Sequence, residues 1–211
     1  MNTTDYYKLR TVMRHWLKGL AATDPRYFEV LRALDFFELL HGNEIRKDGV
    51  TKGFSHQLNM LAFARTQHRN LAEPWLVYIA ILGHDGPEDY PNRIHAIEVK
   101  FPDQFAYFLR LSKWRHGELV PYDVYFADIA ECSVCSVAKA IDRINNYSTM
   151  LGVFTPEKVA QYIEDGYKWF LPMLKTARRN FPHQEPIYEL LKSVMMIQLD
   201  ASSHFLKAIE R

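Results

Sequence analysis

Along most of the chain, apolar residues return every three or four positions, the spacing of one face of a helix. Tyr6, Leu9, Val12, Met13, Trp16, Leu17 and Leu20 form the first such face. A second helix is expected after Asp24, read as its N-cap with Pro25 at the first helical position. It carries Phe28, Val30, Leu31, Leu34, Phe37, Leu39 and Leu40 and stops at Gly42. The polar segment from Asn43 to Gly53, with Arg46-Lys47-Asp48-Gly49, reads as a loop containing an Asp-Gly turn. A third helix is predicted from near Phe54 to about His68, with His56 in its first turn. From Trp75 to Leu82 the pattern is apolar nearly all round, which marks a helix at the centre of a fold.

Two shorter helices are expected next, Arg93 to Lys100 and Pro102 to about Leu111, the second with its proline in the first turn. A charged connector, Arg115-His116-Gly117-Glu118, leads into a long helical region from Pro121 to Met150. Its buried stripe is Ile129, Cys132, Val137, Ala140, Ile141 and Ile144. Thr155 is the cap and Pro156 the first residue of a further helix with Val159, Tyr162 and Ile163 on its apolar face, continuing past Pro172 with a kink. After a break at Phe181 to Pro186, a last amphipathic helix runs from Ile187 to Ile209. Neither repeats, strand pairs nor a Gly-rich phosphate loop stand out. The expected fold is all-α, one domain over residues 1–211, with about eight to ten helices.

Composition narrows the function classes. The 211 residues suffice to bury a core without disulfides, and 48% hydrophobic with 24% charged residues is ordinary for a globular protein. A net charge of +1 gives no push toward nucleic acid or membrane surfaces. The first residues carry no basic region followed by an apolar one, and no apolar run reaches membrane-spanning length, so a cytoplasmic protein is expected. Cys132 and Cys135 make a Cys-Ser-Val-Cys pair without a second pair to complete a zinc site or a preceding strand, and read as two reduced, partly buried helical thiols.

The densest chemistry lies in Leu82-Gly83-His84-Asp85-Gly86-Pro87-Glu88-Asp89-Tyr90. Taken alone, this could be a helix C-terminus followed by an acidic turn. A lone His56 likewise reads as a capping or surface group, and a lone Asp142 as a salt-bridge partner. Together, His56, His84, Asp85 and Asp142 make a mixed nitrogen and oxygen set on three helices. It suits manganese, iron or magnesium better than a closed structural zinc site and leaves room for water and substrate oxygens.

Order and spacing of these residues resemble the HD superfamily of metal-dependent phosphohydrolases. Further stretches are similar to its RelA/SpoT-type alarmone hydrolases. His41 to Gly49 followed by Ser55-His56 looks like the opening segment, with the Arg46-Lys47 pair ahead of the first metal histidine. His84-Asp85-Gly86-Pro87-Glu88-Asp89 matches a His-Asp-x-x-Glu-Asp motif, Ala140 to Asn146 an Ala-Asp-Arg-x-x-Asn helix, and Ser112-Lys113 a Thr-Lys pair.

The resemblance places the core motifs within residues 41–150, with the helices of residues 155–210 packing on them. It implies hydrolysis of the 3′-diphosphate of ppGpp and pppGpp to pyrophosphate and GDP or GTP, with one divalent ion, usually manganese. On this reading His56, His84, Asp85 and Asp142 hold the metal, and Glu88 and Asp89 orient water and manage its proton. Arg46, Lys47, Lys113 and Asn146 contact the nucleotide. The chain departs from the pattern at Gln57, where the family has proline, at Ser148, where it has arginine, and in a loop about one residue longer before His56. A related alarmone such as ppApp therefore stays open, as do an HD phosphohydrolase of 5′-nucleotides and a non-catalytic nucleotide-binding protein.

Overall fold

The computed structural model describes residues 3–115 and 117–209. Its first half is built from α1 (Thr3–Ala21), α2 (Tyr27–His41), α3 (Ser55–Thr66) and α4 (Pro74–Gly83). Helix α4 is apolar all round because it has no solvent face: Val77, Tyr78, Ile79, Ile81 and Leu82 are at most 1% exposed, and α2, α3 and a later helix over Ser133–Met150 pack around it. Each such side chain contributes roughly 1.5–3 kcal/mol by leaving water. The end of this helix is pressed tightly into the core. A Cβ at Gly83 would sit 2.5 Å from Phe108 and 2.6 Å from Phe37, so only glycine lets the chain carry the next residue, His84, into the interior.

A short helix α5 (Gly86–Asp89) follows at once, then α6 (Ile94–Lys100) and α7 (Phe105–Leu111). The Pro102 expectation fails: residues 102–104 are a turn and α7 starts at Phe105. The charged connector is a minimal antiparallel hairpin, β1 (Trp114–Arg115) with β2 (Glu118–Leu119), which the sequence pattern did not announce. Two residues per strand are too few to show alternation. His116 lies outside the described residues.

The long region from Pro121 divides into α8 (Tyr122–Ala130) and α9 (Ser133–Met150). Cys132 is the N-cap of α9, in extended conformation, with its sulfur accepting the Cys135 N–H at 3.4 Å. Both thiols are free, as expected, but Cys132 stands at a helix start and not inside a helix. The stripe expected on α9 is buried, and this helix packs on α3, α4, α7, α8 and the C-terminal helices.

Helices α10 (Pro156–Asp165) and α11 (Leu171–Asn180) are joined by a π-helical turn over Gly166–Phe170, and α12 (Glu185–Ile209) closes the bundle against α9. Thr155 caps α10 as predicted, its hydroxyl accepting the Lys158 N–H at 3.4 Å. The π-turn absorbs Pro172 where a kink was expected. Gly166 lies at its start because a Cβ there would be 2.3 Å from the Tyr147 hydroxyl and 2.7 Å from Leu199. Arg143 of α9 locks this segment down: its guanidinium lies 4.1 Å from the Tyr162 ring and 4.2 Å from the Phe170 ring, and 3.9 Å from Asp165.

The helical periodicity is borne out with local corrections. Helix α2 starts at Tyr27 after a turn in which Asp24 Oδ1 accepts the Arg26 N–H, so Asp24 acts two residues earlier than a cap. Phe28 and Leu39, expected on its buried face, are 57% and 81% exposed, as Val12 of α1 is at 42%. No helix among the described residues is long and apolar enough to cross a membrane.

Candidate metal centre

Two helix ends and the middle of a third helix meet at one point. His56 is in the first turn of α3, His84 follows the last residue of α4, and Asp142 lies on the buried stripe of α9. The ligand atoms of His56, His84 and Asp85 all fall within 4.8 Å of one another, a grouping able to hold a metal ion. Asp142 Oδ1 joins them, 3.0 Å from His56 Nε2 and 3.8 Å from His84 Nε2. Residues separated by more than eighty positions in sequence thus share one site, although only His84-Asp85 are neighbours in the chain.

The outer contacts aim the imidazoles inward. His84 Nδ1 donates to the Ile81 carbonyl at 2.8 Å, and His56 Nδ1 donates to Asn145 Oδ1 at 2.7 Å. Both rings therefore present Nε2 to the carboxylates, the arrangement in which a second hydrogen bond fixes a ligand's tautomer. His84 Nε2 is buried without a hydrogen-bond partner, 2.9 Å from Asp85 Oδ2. A lone pair so close to a carboxylate is repulsive unless a cation lies between them, whether a proton or a metal. The residues fit a divalent ion on that observation.

Electrostatics point the same way. Burial opposes a charged His84, yet Asp85 and Asp142 overcome it and raise the imidazole to about 9. Burial also opposes the Asp142 anion, but Lys139 at 3.0 Å and the two histidines hold its carboxyl well below the usual carboxylate range. Asp85 is held low by His84 against its own burial. The site is an anionic hole lined by nitrogen donors, which a cation relieves.

Beside it opens a cleft of about 470 Å³ lined by His56, Asp85, Asp89 and Asn146 from the helices and their ends and by Arg46, Lys47 and Thr51 from the loop before α3. The loop holding Arg46 and Lys47 is tied by Arg46 N to the Thr51 carbonyl (2.8 Å) and by Asp48, which accepts the Val50 and Thr51 N–H groups and the Thr51 hydroxyl. Lys47 Nζ rests 5.2 Å from the Phe154 ring across the cleft. Asn146 donates to Asp142 Oδ1 at 2.7 Å, so this expected substrate contact also braces a metal residue.

Asp89 stands at the solvent-facing edge. Burial of its carboxyl, then the Asp85 and Glu88 charges, push it up to about 6. Glu88 turns the other way, its Oε2 accepting the Lys113 backbone N–H at 3.1 Å. Lys113 does not line the cleft; its ammonium lies 5.8 Å from the Tyr122 ring. Of the ten expected residues, Arg46, Lys47, His56, Asp85, Asp89 and Asn146 line the cleft, His84 and Asp142 join it through Asp85 and His56, and the Glu88 and Lys113 side chains are not among its lining.

Other participants escaped the sequence reading. Lys139 is one helical turn before Asp142 and buried. Asn145 was quoted within a motif but given no role, although it orients His56. Gln57, the residue that departs from the family pattern, reaches Asp85 Oδ2 at 3.4 Å and His41 Nε2 at 3.2 Å. His41 in turn meets the Tyr90 hydroxyl, which donates to Glu44 at 2.6 Å. The i,i+3 spacing of Lys139 to Asp142 was the one signal that could have found the first of these.

No protein-family model, curated protein or solved structure matches the chain, so the case for its chemistry rests on its own residues.

Proposed function

We propose that the protein is a divalent-metal-dependent phosphohydrolase of the HD type that cleaves the 3′-diphosphate of guanosine alarmones, ppGpp and pppGpp, releasing pyrophosphate and GDP or GTP. One observation supports this reading above the rest: His56 and Asp85, bonded to the buried Asp142 and His84, line the same cleft as Arg46 and Lys47. A cation site and two basic side chains on one cleft suit a substrate that is itself polyanionic.

His56, His84, Asp85 and Asp142 would hold the ion. When bound, a divalent cation supplies Lewis acidity, polarising a phosphoryl group and making water more acidic. Asp89, with its carboxyl raised to about 6 and open to solvent, takes a proton from an attacking water at Oδ and passes it outward. Glu88 keeps the turn that carries Asp89 in place through its bond to Lys113 N. Arg46 presents a planar, half-buried guanidinium for bidentate phosphate contact or for the purine face, and Lys47 a mobile point charge. Asn146, tied to Asp142, has its remaining amide capacity for a ribose or phosphate oxygen.

The test is incubation of purified protein and manganese with a panel of 3′-diphosphorylated and 5′-phosphorylated nucleotides. The expected products are pyrophosphate and GDP from ppGpp. Inorganic phosphate from a 5′-nucleotide favours another HD phosphohydrolase, adenine in place of guanine points to ppApp, and no turnover across the panel ends the enzymatic reading.

A further inference from the structure

Outside the cleft lining, the start of α9 holds a group with chemistry of its own. Cys132 takes the extended N-cap position with φ −130° and ψ 115°, and Cys135 follows in the first turn, three residues on. The Cys132 sulfur accepts the Cys135 N–H at 3.4 Å, while the Cys135 thiol points at the Tyr107 carbonyl 3.7 Å away. Helix α9 is 18 residues long, so a full helix dipole stands behind the cap. Arg110 of α7, itself 3.2 Å from Asp128, completes the surroundings.

We propose that Cys132 and Cys135 form a reversible dithiol–disulfide pair that is oxidised by exchange with a low-molecular-weight disulfide. An N-cap cysteine followed three residues later by a second thiol is the geometry in which a helix N-terminus stabilises an attacking thiolate and keeps its resolving partner within reach. The two thiols are made unequal. The Cys135 hydrogen bond, against the cost of burial and helped by backbone N–H groups and Arg110, lowers Cys132 to about 6, whereas burial raises Cys135. Cys132 is also the one that solvent touches, 8% exposed against none for Cys135.

The exchange balances without any other reactant. The Cys132 thiolate attacks one sulfur of R–S–S–R, forming a mixed disulfide and expelling RS⁻, which takes up a proton. Cys135 then gives its proton to solvent and attacks the Cys132 sulfur, expelling a second RS⁻. The sum is one protein disulfide and two RSH from two protein thiols and one R–S–S–R. Neither cysteine lines the metal cleft, so this activity is independent of the function proposed above.

The test treats the full folded chain with millimolar oxidised glutathione near pH 7.5, followed by mass spectrometry and thiol counting under denaturing conditions. The expected product is a monomer two hydrogens lighter with no titratable thiol, restored by dithiothreitol. Cys135→Ser should stop as one glutathione adduct on Cys132, and Cys132→Ser should leave Cys135 unmodified. In the reduced wild type, iodoacetamide at pH 7 should label Cys132 at least about tenfold faster than Cys135. Unchanged mass with two free thiols, separate adducts on both cysteines, or a disulfide joining two chains would each overturn the proposal.

Discussion

The two walls of the cleft are built by different physics. On one, His56 lines the cleft with His84 and Asp142 buried behind Asp85 and His56; they are 6%, 2% and 7% exposed and are delivered by α3, α4 and α9, the helices that also make the core. On the other, Lys47 is exposed and Arg46 half-buried on a loop held by backbone pairing and by the Asp48 side chain. A buried wall is preorganised and coupled to the stability of the whole fold. A loop wall is cheap to alter and tunes what is bound. Substitutions should therefore act in two distinguishable ways.

The largest effect belongs to Asp142→Ala. Removing this carboxylate deletes a metal residue and leaves Lys139 buried without its 3.0 Å partner, so activity and tight metal binding should vanish and the fold should lose about 3–5 kcal/mol, read by chemical denaturation. Unchanged stability would mean that the helix-carried residues are not coupled to the core. Asn145→Ala comes next. It frees the His56 ring while keeping every metal residue, and should weaken metal affinity by about 10–100-fold with little loss of stability.

Arg46→Ala and Lys47→Ala sharpen the contrast from the other side. Each should raise KM for a polyphosphorylated nucleotide by about tenfold, near 1.4 kcal/mol, with metal affinity unchanged and stability within about 0.5 kcal/mol. The smallest effect is on pH. In metal-free protein the Asp89 carboxyl titrates near 6, above its ordinary value of 3.8, so the folded state binds that proton more tightly than the unfolded one. Its contribution is favourable at low pH and is lost as pH rises from about 4 through 6. Asp89→Asn should therefore stabilise the metal-free protein by no more than about 1 kcal/mol at pH 8, solvent screening at this open edge reducing the effect, and by nothing at pH 4.

What the chain reveals without a structure follows the same division. The stripe on α9, the all-apolar α4 and the Thr155-Pro156 start are local signals, each carried within one element, and they were legible. So was the set His56, His84-Asp85 and Asp142, because residue type and helical placement both spoke for it. Lys139 and Asn145 were not, since a lysine on a helix is ordinarily solvated and only the packing of α4 and α3 on α9 buries this one. Phe28 and Leu39 fit the helical period yet face solvent, because the period does not say how wide a neighbour's cover extends. Lys113 illustrates the converse: a side chain suited to phosphate was assigned by motif, and its ammonium lies 5.8 Å from the Tyr122 ring, outside the cleft lining. Cys132 was read as helix interior because the break between α8 and α9 carries no glycine or proline to mark it.

The central claim is that His56, His84, Asp85 and Asp142 form one divalent-cation site, and calorimetric titration of manganese into metal-stripped protein tests it most directly. One ion per chain should bind, with proton release near neutral pH as His84, raised against its burial to about 9 by Asp85 and Asp142, gives up its proton, and His84→Ala should abolish the signal in a folded protein. Absence of binding in the wild type, or binding of equal strength in His84→Ala, would contradict it.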